Sequence, residues 1–324
     1  MIKISLLITA VATLFVYMLP GFILRKTKIA DDKFAKNLSN VTLYVAQVCL
    51  LLHGFITAFD MTVFKNMLIT FAVVFVIHIF LYFFAKGMFK KAPDGIRKIL
   101  RFSLVFSNAG YMGIPIINDV LGADYTVYAS MYVVVFNIFV YSLGRLIYTE
   151  DKSYISVKKM IINPAVIPIA IGFVIYVTGL GGYMQSVALE TGFLAEASRL
   201  IITVISSLKN LVAPLSMMVI GVKLADIKFK GIFRDKYMYI AVATRLLILP
   251  TIIFVGLKGL NLVGFLPVEL MSVVLILCST PAAAVTTMFA EIFNLDGTYS
   301  GKIVAINTVL SIVTMPIIGL LLYI

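Results

Sequence analysis

Two short segments set polar and helix-breaking residues inside long apolar runs: SNAGYMGIPI at 107–116 and STPAAA at 279–284. Pro115 and Pro281 cannot donate a backbone hydrogen bond, and Gly110 and Gly113 make local unwinding cheap. A helix that stops and restarts within an apolar run leaves unpaired N–H groups at its second start, where the helix dipole is positive. Such a start attracts anions. Ser107, Asn108, Ser279 and Thr280 place hydroxyl and amide groups at the same two points, suited to the freed backbone or to a ligand. From Lys98 to Asn108 a helix would rise about 15 Å, half an apolar bilayer core. The spacing predicts unwinding over 108–113 and a second half-helix from Pro115 to near Gly122. Pro281 is expected to play the same part in the other segment.

Charged groups inside apolar runs are few and basic. Lys209 lies near the middle of one run and Arg245 about eight residues into another, where a charge is costly and usually functional. Each suits a ligand or a structural role on broken backbone, and Arg245 has the easier reach to water. His53 and His78 are open to proton coupling or to plain packing. Asn137 and Asn307 lie deep in two further runs. No Asp or Glu falls clearly inside a run, which favours an anionic over a cationic ligand. Paired His/Asp/Glu motifs are missing, so neither an enzyme, a metal site nor a cofactor is expected.

The elements that must position these residues are membrane helices. The 324 residues are 61% hydrophobic and only 13% charged, against about 25% charged residues in soluble domains. Apolar runs near 4–24, 38–58, 66–86, 98–121, 125–148, 163–180, 200–222, 237–257, 268–292 and 300–323 predict ten spans. The first run reaches about twenty residues with no small-residue cleavage site before Arg25, so it reads as a span and not a signal peptide. Cys49 and Cys278 both lie in apolar runs and imply no disulfide framework.

The net charge of +12 does not imply nucleic acid, because the basic residues cluster in short loops. Loops 1–2, 3–4, 5–6, 7–8 and 9–10 hold 21 of the 27 Lys and Arg, including Lys223, Lys228, Lys230, Arg234 and Lys236 in loop 7–8. The positive-inside rule puts these loops in the cytoplasm and both termini outside.

The second half echoes the first. A shift of 172 residues sets Ser279 on Ser107, Thr280 on Asn108 and Asp296 on Asp124; Asn137 and Asn307 follow those aspartates by 13 and 11 residues. The expected fold is an all-α integral membrane protein of two inverted five-helix repeats, 1–162 and 163–324, with broken helices 4 and 9. Paired, interrupted spans in inverted halves point to a transporter binding site. An anion channel, or a cation-coupled symporter of the same fold, are the rival readings.

SNAGYMGIPI, the later STPAAAVTTMFAE and the ten-span layout together resemble the auxin efflux carrier family, which includes plant auxin carriers and bacterial malate and malonate permease-like proteins. The resemblance covers essentially the whole chain, though loop 5–6 is short where many plant members carry a long one. It implies a sodium/proton-antiporter or bile-acid-symporter-like fold and a homodimer in the cell membrane. Spans 1, 2, 6 and 7 would form a scaffold, and spans 3–5 and 8–10 a mobile transport domain. It also implies elevator-type carriage of a small organic carboxylate where spans 4 and 9 cross. Asn108, Pro115 and Pro281 match the crossover pattern, with Asn137 and Asn307 as companions. The expected binding set is Ser107, Asn108, Gly113, Pro115, Asn137, Lys209, Ser279, Thr280, Pro281 and Asn307, with Arg245 and His78 in a coupling or charge role. Lys209 falls on the implied scaffold side and is no family signature.

Overall fold

The computed structural model describes residues 3–31, 33–155, 157–162, 164–227 and 235–324. Lys228, Lys230 and Arg234 of the basic loop, and Asn163 at the expected division between halves, lie outside the described residues. The chain runs through α1 (Ile4–Lys26), α2 (34–53, with a π-helical stretch Thr42–Ala46), α3 (Met61–Gly87) and α4 (Asp94–Val105). Next come α5 (109–120, a π-helical turn Ala109–Gly113 running into Ile114–Val120), α6 (Ala123–Thr149), α7 (Val157–Ile161), α8 (Val166–Val177) and α9 (Leu180–Val187). The last are α10 (Phe193–Asp226, with a turn at 210–211), α11 (Lys236–Leu262), α12 (Val268–Ser279), α13 (Val285–Ile292) and α14 (Gly297–Tyr323). Among the described residues extended pairing is confined to one antiparallel bridge, Ser107 with Ala282.

Six helices, α1, α3, α6, α10, α11 and α14, are long and apolar enough to cross a membrane alone. The α8–α9 pair, bent by 73°, makes a seventh if taken as one span. Large apolar side chains such as Val76, Phe83, Val255 and Val313 stand exposed on the long helices, as lipid-facing surfaces require. The chain is an all-helical, multi-pass membrane protein.

Two boundaries differ from expectation for local reasons. The connection expected over 181–199 contains α9, because Gly179 turns the chain with a left-handed φ of 73° and helix then resumes. The run expected over 200–222 is part of α10, whose first turns carry an exposed Arg199–Glu196 ion pair at 2.8 Å. Those charges read as a loop in the sequence but sit on a helix whose 34 residues rise about 51 Å, well beyond the roughly 30 Å of an apolar core.

The two interrupted segments lie at the centre of the molecule. Every residue of α12 from Leu270 to Ser279 is buried, as are Phe102 to Ala109 across the first interruption. A short helix apolar on all sides belongs inside a bundle. Around them, α1 packs along the second half of α10, and α2 packs against α8 and both halves of α10. A Cβ on Gly21 of α1 would strike the Met218 carbonyl, and one on Gly221 of α10 would strike the Met18 carbonyl. The two backbones therefore touch directly, which is how membrane helices gain packing energy in a solvent as apolar as themselves. Gly221→Ala should destabilise the purified protein by about 1–3 kcal/mol through overpacking, read as a lower thermal-unfolding midpoint in detergent. Gly256→Ala, where a Cβ meets nothing within 4 Å, should not lower it.

Candidate functional site

Helix α4 ends at Val105 and the chain turns extended at Phe106. Helix α12 ends at Ser279 and turns extended at Thr280. The extended pieces run past each other and exchange two backbone hydrogen bonds, Asn108 N–H to the Pro281 carbonyl (2.8 Å) and Ala283 N–H to the Phe106 carbonyl (2.9 Å). Apolar surroundings tolerate non-helical backbone only when its polar groups find such partners. Pro281 has no N–H to place and contributes only its carbonyl.

In both second half-helices, helix resumes at a residue other than the expected proline. In the first it resumes at Ala109 as a π-helical stretch, and the α-helix proper starts at Ile114 with Pro115 in its first turn, so only 106–108 is unwound. Its first returning bonds run from Met112 N–H (3.1 Å) and Gly113 N–H (3.2 Å) to the Asn108 carbonyl, so the amides of Ala109, Gly110 and Tyr111 form its open first turn. Pro115 stands one turn further in, and the Tyr111 carbonyl four residues before it accepts from Ser216 Oγ of α10 at 3.1 Å. The second begins at Val285, four residues after Pro281. Proline marks each interruption, but only Pro115 sits in the first turn of an α-helix, and there a π-helical stretch precedes it. Gly113 lets the two segments close up: a Cβ there would lie 3.3 Å from Thr280 Cγ2 and clash with Leu277 at 2.6 Å.

The ends of the first half-helices share one cation. Arg245 of α11 is 1% exposed. Its Nη1 donates to the Leu104 carbonyl (3.0 Å), and its Nη2 donates to the Cys278 (2.9 Å) and Thr280 (2.9 Å) carbonyls. The expected reach to water is therefore wrong. The guanidinium is buried between two helix C-termini, whose unpaired carbonyls and negative dipole ends it offsets.

The polar side chains divide into committed and open groups. Ser279 Oγ and Thr280 Oγ1 donate back into α12, to the Ile276 and Leu277 carbonyls at 2.8 Å each. Asn137 Nδ2 and Asn307 Nδ2 both donate to the carbonyl four residues earlier, Val133 and Ile303, at 2.8 Å; Asn307 Oδ1 is buried without a partner. Ser107 Oγ pairs with Tyr132 Oη at 2.8 Å. The Asn108 side chain, 6% exposed, has no hydrogen-bond partner among the described residues.

His78 and Lys209 make no hydrogen bond to the interruptions among the described residues, although the His78 ring lies 6.3 Å from that of Phe106 between centroids. The Val74 carbonyl accepts from His78 Nδ1 at 2.9 Å, and the ring stacks on Phe139 and meets Tyr132 edge-on, both at 5.4 Å between centroids. These are the surroundings of a packed ring. Lys209 Nζ lies 3.1 Å from His53 Nε2, near the end of α2 and well along that helix from the interruption. Gln47, on the same helix, does reach it: a Cβ on Gly110 would stand 3.0 Å from Gln47 Nε2, and Gln47 Oε1 is buried without a partner. Sequence reasoning missed Gln47, Tyr132 and Ser216. A glutamine within an apolar run was the available signal for the first; the other two are ordinary membrane-helix residues.

The arrangement is thus a pair of interrupted helices joined through backbone, with C-terminal ends neutralised by Arg245. An open helix start lies beside the Asn108 and Gln47 amides. A family model described as membrane transport protein matches residues 6–158 and 149–319. No curated protein matches the chain.

Replacing Arg245 with Met would strand three buried carbonyls. Hydrogen bonds to charged groups contribute about 1.5–3 kcal/mol each, with unmet buried partners costing comparably. Arg245→Met should therefore cost more than about 3 kcal/mol and reduce the yield of monodisperse protein on size exclusion. Arg245→Lys should recover little, because one ammonium lacks the fork that spans both helix ends.

Proposed function

The chain belongs to the membrane transport protein family, the auxin efflux carrier family, and on that premise we propose that it carries small organic carboxylate anions, bound where the two interruptions meet. The observation that carries this reading is the pairing of the interruptions with Arg245 on their C-terminal side. With the negative dipole ends offset, the open N–H groups of Ala109, Gly110 and Tyr111 leave a positive centre. Asn108 supplies a free amide beside it, and Gln47 supplies another from α2.

In this reading the six long helices, the bent α8–α9 pair, α2 and the two interrupted segments 94–120 and 268–292 make ten spans in two inverted halves. The packing of α1, α2, α8 and α10 on one another suits a scaffold of spans 1, 2, 6 and 7. The interrupted segments, with α3, α6, α11 and α14, would move against it as an elevator. Gln47 and Ser216 would then be scaffold groups touching the moving helix. Pro115, Pro281 and Gly113 shape the site through backbone and packing. Ser107, Ser279, Thr280, Asn137 and Asn307 hold its walls, and Lys209 adds positive field from the scaffold side. A homodimer in the cell membrane with both termini outside completes the proposal.

The test is anion flux by the purified protein in liposomes. Asn108→Ala should weaken apparent affinity about tenfold or more, the loss of one hydrogen bond to a charged ligand. Ser279→Ala, whose hydroxyl is committed to α12, should stay within about twofold. Unchanged flux in Asn108→Ala would remove the assigned site.

A further inference from the structure

We propose that a cleft at the basic end of α3, α4 and α6 binds the phosphate of an anionic membrane phospholipid headgroup. The cleft holds about 340 Å³ and is lined by Tyr82, Lys86, Arg101, Leu146, Ile147, Glu150 and Lys152. It is two-sided: Tyr82, Leu146 and Ile147 give an apolar wall, while Lys86, Arg101 and Lys152 set three cations against the single carboxylate of Glu150. That carboxylate is already engaged, with Arg97 at 3.4 Å and Lys98 at 3.9 Å.

Arg101 is held ready. Its Nε donates to the Met88 carbonyl (3.0 Å) and its Nη2 to the Lys86 carbonyl (2.7 Å), which caps the end of α3. Its Nη1 has no hydrogen-bond partner among the described residues. The ammonium groups of Lys86 and Lys152 likewise have none, and both residues are exposed. A guanidinium fixed by backbone beside two exposed lysines suits a phosphate oxygen cluster. Basic pockets between membrane helices on the cytoplasmic side have this character.

The same charges would suit free phosphate. The apolar wall argues for the lipid, as does the outer face of α3, where Val76, Phe80 and Phe83 stand exposed. An acyl chain could lie along that face while its headgroup occupies the cleft. This inference stands on α3, α4, α6 and the residues just after α6, and does not rest on the transport reading.

The experiment titrates the delipidated full-length protein in detergent with dioleoyl phosphatidylglycerol, dioleoyl phosphatidylcholine or inorganic phosphate, reading thermal unfolding and lipid retention by native mass spectrometry. Phosphatidylglycerol should stabilise and be retained well above phosphatidylcholine. Lys86→Gln with Lys152→Gln should weaken that retention about 30-fold, near 2 kcal/mol for two lysines. Lys86→Arg with Lys152→Arg should keep it, which separates lost charge from lost fold. Equal retention of the two lipids, or full retention by the Gln pair, overturns the proposal. Stabilisation by phosphate alone that matches phosphatidylglycerol and vanishes in the Gln pair overturns the lipid source.

Discussion

Everything near the centre of this protein answers to one demand: two interrupted helices must satisfy their backbone in a largely buried place. Each stop exposes carbonyls and each restart exposes amides. The extended residues between them settle part of the demand by pairing across the gap, Asn108 with Pro281 and Ala283 with Phe106. Arg245 settles the carbonyl side, reaching both helix ends with one fork. A buried cation is normally a heavy burden. It is tolerable here because its counter-charge is divided between two helix termini that would otherwise be unsatisfied.

Packing then fixes the geometry that the hydrogen bonds require. Gly113 admits Leu277 to within 2.6 Å and Thr280 to within 3.3 Å of where a Cβ would stand, which helps the two extended pieces come within bonding reach. On the side of α4, Phe102 lies 4.4 Å from Phe106 and 4.8 Å from Tyr148 between centroids. Tyr148 in turn donates to the Thr286 carbonyl of α13 at 2.9 Å. One aromatic cluster thereby ties the first interrupted segment to the second half of the other. A shift of either segment alone would break both the cluster and the bridge, so the two are built to move together or not at all.

The sequence was legible where the physics is local. Apolar runs of membrane length, prolines and glycines within them, and the absence of embedded acids can all be read residue by residue. The starts of the half-helices were not legible, because proline reports that a helix is disturbed but not where its first turn closes. Pro115 followed the restart and Pro281 preceded it. A structural role for Arg245 on broken backbone was one of the expected readings, but its burial was not legible, for a different reason. Its partners are carbonyls 141, 33 and 35 residues away, and main-chain acceptors carry no sequence signature. Ser279 and Thr280 were left open between backbone and ligand because a hydroxyl returning to its own helix looks the same in sequence as one offered to a ligand.

The placement of Arg245 also bears on which sign of charge the centre would accept. Two antiparallel half-helix pairs bring both kinds of dipole end together, and uncorrected they would nearly cancel. Arg245 sits on the carbonyl ends and offsets the negative contribution, while among the described residues no acidic side chain performs the reciprocal service for Ala109, Gly110 and Tyr111. On the proposed anion-carrier reading, that asymmetry in capping, more than any group that would touch a ligand, is what leaves the open helix start positive. A cation carrier built on the same backbone would need that asymmetry reversed, with a carboxylate beside the amides. Asn108 occupies that place with a neutral amide, which can accept from a ligand hydroxyl or donate to a carboxylate without cancelling the field around it.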